Sequence, residues 1–176
     1  MEAAIGAAAG WLDAVGVGGW ARGSDRVYPI ANVLHLLGLV MLVGGIGVVD
    51  LRIAGAWRAL PVEPLARALT PVAVAGLLLM AASGTVLFAA DGAALAESGT
   101  FKTKLLLIAV AVANALFFRW RGRRLGGGPD VMARMLAMLS IVLWLSVAYA
   151  GRMIAYSCHV EVVVRSEGAL SPVCVL

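Results

Sequence analysis

The sequence predicts an all-α integral membrane protein, a four-helix bundle preceded by a short interfacial N-terminal segment. Apolar residues make up 62% of the 176 residues and charged residues only 14%, whereas a soluble domain carries about 25% charged residues. The mean hydropathy is +0.96, and a soluble protein of this length has no interior large enough to bury so much apolar surface. Four apolar segments are long enough to cross a bilayer, and basic residues collect between them.

The predicted interfacial segment is residues 1–27. It does not match a signal peptide, because no Lys or Arg precedes Arg22 and Asp13 interrupts the apolar stretch. Trp11 and Trp20, set among small apolar residues, are typical of a segment that lies at the membrane surface. The first membrane helix is expected to begin at Pro29, since proline is tolerated in the first turn of a helix.

The predicted bundle covers residues 28–157, with spans at about 29–50, 70–90, 102–119 and 134–157. A span needs roughly 17 to 25 mostly apolar residues. The third span is short unless Lys102 and Lys104 extend their charged ends toward the headgroups. Each span must form its own backbone hydrogen bonds inside the bilayer, so all four are predicted to be helices. Glycines on the first two spans are expected to allow close helix contact: Gly38, Gly44, Gly45, Gly47, Gly76 and Gly84.

Lysine and arginine set the predicted orientation. Eight of the 14 Lys and Arg residues lie in the two loops that follow the first and third spans, and these loops share one face. The positive-inside rule places that face in the cytoplasm and both termini outside. The run Arg119–Arg124 is also compatible with nucleic acid or lipid headgroups, but Trp120 within it favours a topology anchor, and no nucleic-acid partner is expected.

The C-terminal tail is residues 158–176, and it contains both cysteines, Cys158 and Cys174. The predicted outer side permits oxidation, so a disulfide and two separate thiols are both open. We expect the chain from Val160 to Arg165 to be extended or loosely ordered.

Arg152 is the first candidate functional residue, because it follows 17 uncharged residues on the apolar fourth span. An arginine inside hydrocarbon costs a few kcal/mol and requires a partner. Helical spacing places Tyr156 on the same face as Arg152, and it places Asn32 and His35 on one face of the first span.

Depth is expected to bring these side chains together in the outer leaflet. At 1.5 Å per residue, His35 lies about 10 Å below Tyr28 and Arg152 about 6 Å below Tyr156. The third span enters the bilayer from the same side with Lys104, and the second span leaves it there with Ser83 and Thr85. The sequence therefore predicts one polar layer built by all four helices.

The predicted layer contains Lys104 and Arg152 but no carboxylate. Positive charge at low dielectric needs an anion, which a haem propionate, another tetrapyrrole carboxylate or a lipid phosphate would supply. His35 would be the metal-ligating residue, as an axial ligand of haem iron. In the alternative, His35 only hydrogen-bonds a neighbouring helix, and the protein is a non-enzymatic membrane subunit or scaffold whose buried polar residues fix helix packing.

Asp50 and Arg52 are expected to be structural. Residues two apart on a helix do not face each other, so each should pair with another element. A latch to the loop Arg58–Arg67 is the favoured interpretation.

Four stretches carry a resemblance to known families: Tyr28–Gly38, Asp50–Gly55, Phe101–Leu105 and Gly151–Tyr156. Over about residues 20–157 the chain resembles an uncharacterised family of bacterial four-helix integral membrane proteins. More remotely, it is similar to the membrane-type protoporphyrinogen oxidases and to the copper-resistance D family. In that comparison His35 matches the family's histidine and Lys104 its lysine, whereas Arg52 matches the family's arginine only loosely.

The resemblance implies a multi-pass protein of the bacterial inner membrane that binds haem b. The aromatic-rich flank of the oxidases' histidine is missing here, so a tetrapyrrole site is implied but no particular reaction, and enzymatic activity stays open. The predicted partners are the lipid bilayer and, as an open alternative, further copies of this chain or the subunits of a larger membrane complex.

Overall fold

The computed structural model of the chain describes the backbone of residues 2–125 and 130–165, and the side chains of 2–122 and 130–154. The described backbone forms six α-helices. These are α1 (Glu2–Ala14), α2 (Val17–Arg22), α3 (Val27–Ala54), α4 (Val62–Glu97), α5 (Gly99–Leu125) and α6 (Val131–Arg165). The last four are long and apolar enough to cross a membrane. The predicted all-α four-helix membrane bundle is thus confirmed.

Each long helix extends beyond its predicted span, because apolarity marks only the part inside hydrocarbon while the helix continues to a local stop. For α3 that stop is Gly55, whose φ of 123° favours glycine and whose N–H bonds back to the carbonyl of Leu51. α4 begins after Pro61, which has an extended backbone. α6 begins after Asp130, whose carboxylate accepts the Ala133 N–H at 2.9 Å and so caps the helix.

The long helices form a ring in the order α4, α3, α6, α5. α3 packs against α4 and α6, α5 packs against α6, and the contact between α5 and α4 is much smaller. The core is formed by apolar side chains of all four helices, among them Leu42, Met80, Ala111 and Trp144. His35 lies near one end of this ring and Asp50 near the other, and we call these the His35 end and the Asp50 end.

Glycines on both helices, Gly38 and Gly76 most closely, allow α3 and α4 to pack backbone against backbone. A Cβ on Gly38 would lie 2.8 Å from the carbonyl oxygen of Gly76, and a Cβ on Gly76 would lie 2.6 Å from that of Gly38. Gly44 and Gly47 have no such neighbour within 4 Å. The expected close packing therefore holds for Gly38, Gly45, Gly76 and Gly84 and does not extend to Gly44 and Gly47.

The N-terminal segment forms the helices α1 and α2, which pack on the final part of α4. There α4 kinks at Asp91, whose φ of −119° and ψ of 18° are not helical. Arg22 donates to the carbonyls of Ala89 and Ala90 at 3.2 and 3.3 Å and pairs with Asp13 at 2.6 Å. The arginine thereby satisfies carbonyl groups next to the kink.

The end of α6 corrects one expectation. The sequence predicts extended or loosely ordered chain from Val160 to Arg165, but the described helix continues to Arg165. Extending an existing helix adds a hydrogen bond per residue, and this outweighs the small helix-propensity penalty of consecutive valines. Cys158, Cys174 and the disulfide question lie outside the described side chains.

Candidate functional site

His35 connects α3 to α4 at the His35 end. The half-buried imidazole places Nδ1 3.1 Å from the hydroxyl oxygen of buried Ser83. That hydroxyl donates its one hydrogen to the carbonyl of Leu79 at 2.7 Å, so His35 Nδ1 is the donor to Ser83. The lone pair then remains on Nε2, which is one of the two ring nitrogens through which histidine binds metals.

Gly84 gives the His35 ring its position against α4. A Cβ at Gly84 would lie 3.1 Å from His35 Cε1 and 3.4 Å from Nδ1. The Nδ1–Cε1 edge of the ring therefore faces α4, and a larger residue at position 84 would press on it.

Lys104 brings a positive charge to the same level from α5. Its side chain is half-buried, and its Nζ would be 3.3 Å from a Cβ placed on Gly151 of α6. The positive charge of Lys104 and the imidazole of His35 are near enough to interact electrostatically. Among the residues whose side chains are described, no carboxylate lies within ion-pair distance of Lys104. His35, Ser83, Gly84, Lys104 and Gly151 thus form one layer contributed by four helices, which we call the His35 layer.

Other residues of the predicted site lie at its edge or beyond it. Asn32 is exposed, one turn before His35. Arg152 is also exposed on α6, next to Gly151, and it interacts with neighbouring groups. Thr85 is exposed and donates to the carbonyl of Ala81 at 2.9 Å. The side chain of Tyr156 lies outside the described residues.

A groove of about 900 Å³ lies between α5 and α6 close to the His35 layer. Its lining combines apolar residues with the hydroxyl groups of Thr100, Thr103, Ser146 and Tyr149. Tyr149 is 68% exposed. The groove faces away from the core, since its lining includes the exposed side chains of Val142, Leu145 and Tyr149.

At the Asp50 end the two predicted structural residues have different partners. Arg52 donates to the carbonyls of Leu60 at 2.5 Å and Arg58 at 3.0 Å, which is a latch to the connection between α3 and α4. Asp50 is buried, and its polar neighbour is instead Ser140 of α6. Arg52 thus contacts a loop and Asp50 contacts a helix. This agrees with their spacing, because residues two apart on a helix do not face each other.

Asn114 and Ser140 are two further polar residues of the spans, and neither belongs to the predicted site. Both are buried, and Asn114 Nδ2 donates to the carbonyl of Leu136 at 3.1 Å. The available signal was that each is a polar residue well inside an apolar span. The sequence alone could not show that Asn114 contacts the turn of α6 that carries Ser140.

Carboxylates outside the spans stabilise the ends of the helices. The Lys102 ammonium, 2.8 Å from Glu2, holds the pKa of the Glu2 carboxyl below its ordinary value. Hydrogen bonds from Arg121 and then from the Ala133 N–H hold the pKa of Asp130 below its ordinary value. Both carboxylates are therefore charged at neutral pH and link α1 to α5 and α5 to α6.

The donor set of the His35 layer suits a prosthetic group rather than a bare metal ion. In the described part of the chain, no group of three or more His, Cys, Asp or Glu side chains could hold a metal ion. One imidazole with Nε2 available and one ammonium without a carboxylate fit an iron that brings its own four nitrogen ligands and its own anionic groups. No family model, curated protein or solved structure matches the chain.

Proposed function

We propose that this membrane protein binds an anionic cofactor at the His35 layer, with haem b as the candidate. The observation that carries the proposal is the half-buried Lys104 ammonium, which has no carboxylate among its described neighbours and acts on His35. A charge in this environment is costly unless an anion accompanies it. A ligand with carboxylate groups would provide that anion.

His35 would be the metal-binding residue and Lys104 the anion-binding residue of this site. The hydrogen bond to Ser83 fixes the ring and directs the lone pair to Nε2, as outer hydrogen bonds commonly do for ligating histidines. Lys104 would pair with a propionate group, and Arg152, Asn32 and Tyr156 remain proposed contacts at the edge of the site. Haem b, when bound, supplies one-electron redox chemistry.

We also propose an orientation in the bacterial inner membrane. The Asp50 end carries the arginine-rich connections, so the positive-inside rule places it in the cytoplasm and the His35 layer in the outer leaflet. Both termini would then lie outside.

A scaffold function is the second candidate, and specific hydrogen bonds favour it. His35 bonds Ser83 across α3 and α4, Asn114 bonds Leu136 across α5 and α6, and Asp50 has Ser140 as its polar neighbour across α3 and α6. Bonds of this kind fix the position of one helix against another without any ligand. In this alternative the protein is a non-enzymatic subunit of a homo-oligomer or larger complex.

Titration of the purified protein in detergent separates the two candidates. Haemin and metal-free protoporphyrin IX carry the same propionates, but only haemin offers iron to His35. We expect saturable binding of both, a Soret shift with haemin that His35→Ala abolishes, and weaker binding of both in Lys104→Met. His159→Ala is the matched control, because the chain contains two histidines.

The scaffold candidate predicts a different result. Neither porphyrin would then bind saturably to the wild-type protein, and His35→Ala would lower the melting temperature without any spectral consequence. That result would contradict the cofactor proposal.

A further inference from the structure

A second group of polar side chains lies at the Asp50 end, separated from the His35 layer by the apolar core around Leu42 and Trp144. Asp50 on α3 is 6% exposed, Ser140 on α6 is 5% exposed and Asn114 on α5 is 9% exposed. Three different helices thus bring a carboxylate, a hydroxyl and an amide into the interior. None of these residues has a role in the proposed cofactor site.

Asp50 and Asn114 contact the same turn of α6. Ser140 on α6 is the polar neighbour of the Asp50 carboxyl, and Asn114 Nδ2 donates to the carbonyl of Leu136 at 3.1 Å. Within an α-helix the carbonyl of Leu136 is also the acceptor for the backbone N–H of Ser140. The acid and the amide therefore reach α6 at one level, from α3 and from α5.

Two oxygen atoms in this group have no hydrogen-bond partner among the described residues. They are Asp50 Oδ2 and Asn114 Oδ1, both inaccessible from outside. A buried acceptor without a donor costs free energy, and a buried carboxylate without a cation costs more. Both atoms are acceptors, so a cation placed within reach of both would satisfy them.

The arginines at the Asp50 end do not provide that charge. Arg52 is bonded to loop carbonyls, Arg67 to Glu63 and Arg121 to Asp130. The remaining described arginines on this side are exposed: Arg58, Arg119 and Arg134. The neighbours that pack beside Asp50 on α3, α4, α5 and α6 are apolar and do not titrate, and they include Val49, Leu69, Phe118 and Ala137.

We propose that Asp50, Asn114 and Ser140 form a binding site for one monovalent cation, supplied either as an alkali ion or as a proton. The Asp50 carboxylate provides the negative charge, and the amide and hydroxyl oxygens provide neutral ligands of the kind that hard cations prefer. The site is independent of the His35 layer and would exist in a protein that binds no cofactor.

The test measures the melting temperature of the full chain in detergent, in NaCl, KCl or choline chloride at constant ionic strength and at several pH values. If an alkali ion fills the site, the melting temperature rises with its concentration, by about 5 °C over a hundredfold range, and choline has no effect. If a proton fills the site, stability falls as pH rises in choline chloride, because the folded protein holds a proton that the unfolded chain releases.

Variants test whether the dependence of the melting temperature on ion or pH arises at Asp50, Asn114 and Ser140. Asp50→Asn should abolish the dependence on the cation or on pH, and Asn114→Ala and Ser140→Ala should weaken it. Ser146→Ala is the matched control, since Ser146 is exposed on the same helix and its hydroxyl bonds the carbonyl of Val142 at 2.8 Å. A wild-type melting temperature that depends on neither ion nor pH would overturn the proposal, as would a dependence that all three site variants retain. The wild-type measurement keeps the proposal testable if Asp50→Asn does not fold.

Discussion

At the scale of single residues, Lys102 and Lys104 carry the same charge in different surroundings. Lys102 is two residues earlier on α5 and pairs with Glu2 at 2.8 Å. Lys104 points into the bundle, where it lies against Gly151 and acts on His35. The same residue type is thus a surface link at one position and an internal charge at the other.

This difference predicts opposite effects of one substitution. Lys104→Met removes an internal charge without a carboxylate partner, and exchange of such charge for apolar packing is often stabilising. We therefore expect the melting temperature of the ligand-free protein to rise or stay unchanged in Lys104→Met. Lys102→Met is the control and should not raise it, because an ion pair is lost. A clear loss of stability in Lys104→Met alone would mean that the ammonium already has an anionic partner in the ligand-free protein.

At the scale of elements, the sequence predicted the helices better than it predicted their inward faces. In lipid both the packed face and the outer face of a helix are apolar, so no polar stripe marks the outside. Asn32 and Arg152 are predicted in the polar layer and are exposed, while Ser140 is buried although no sequence pattern marks it. Glycines were more informative, because a close helix contact requires a missing side chain, although sequence could not distinguish Gly38 from Gly47.

The contact between α3 and α4 gives the sharpest prediction at this scale. Gly38→Ala would place a methyl group 2.8 Å from the carbonyl oxygen of Gly76, and overpacking of this kind typically costs about 1–3 kcal/mol. Gly47→Ala, on the same helix with nothing within 4 Å, should be neutral or slightly stabilising because alanine favours the helix. Thermal unfolding in detergent compares the two variants. Equal melting temperatures would show that the two helices do not pack at Gly38.

At the scale of the whole molecule, apolar length and composition were enough to predict four membrane helices, and the structure confirms them. Orientation depends instead on the distribution of Lys and Arg between the two ends. A periplasm-active reporter fused after Leu176 should be active, whereas one inserted at Gly127 should not be. The reverse pattern would place the His35 layer in the cytoplasmic leaflet.

The central claim is that the His35 layer holds a cofactor, and the most direct measurement is the haem content of protein purified from haem-replete cells. A pyridine haemochrome assay with protein quantitation gives the number of haem groups per chain. We expect a ratio near one in the wild type and in His159→Ala, and a ratio near zero in His35→Ala that is still inserted in the membrane. A wild-type protein without a Soret band, or a His35→Ala variant that keeps its haem, would contradict the account.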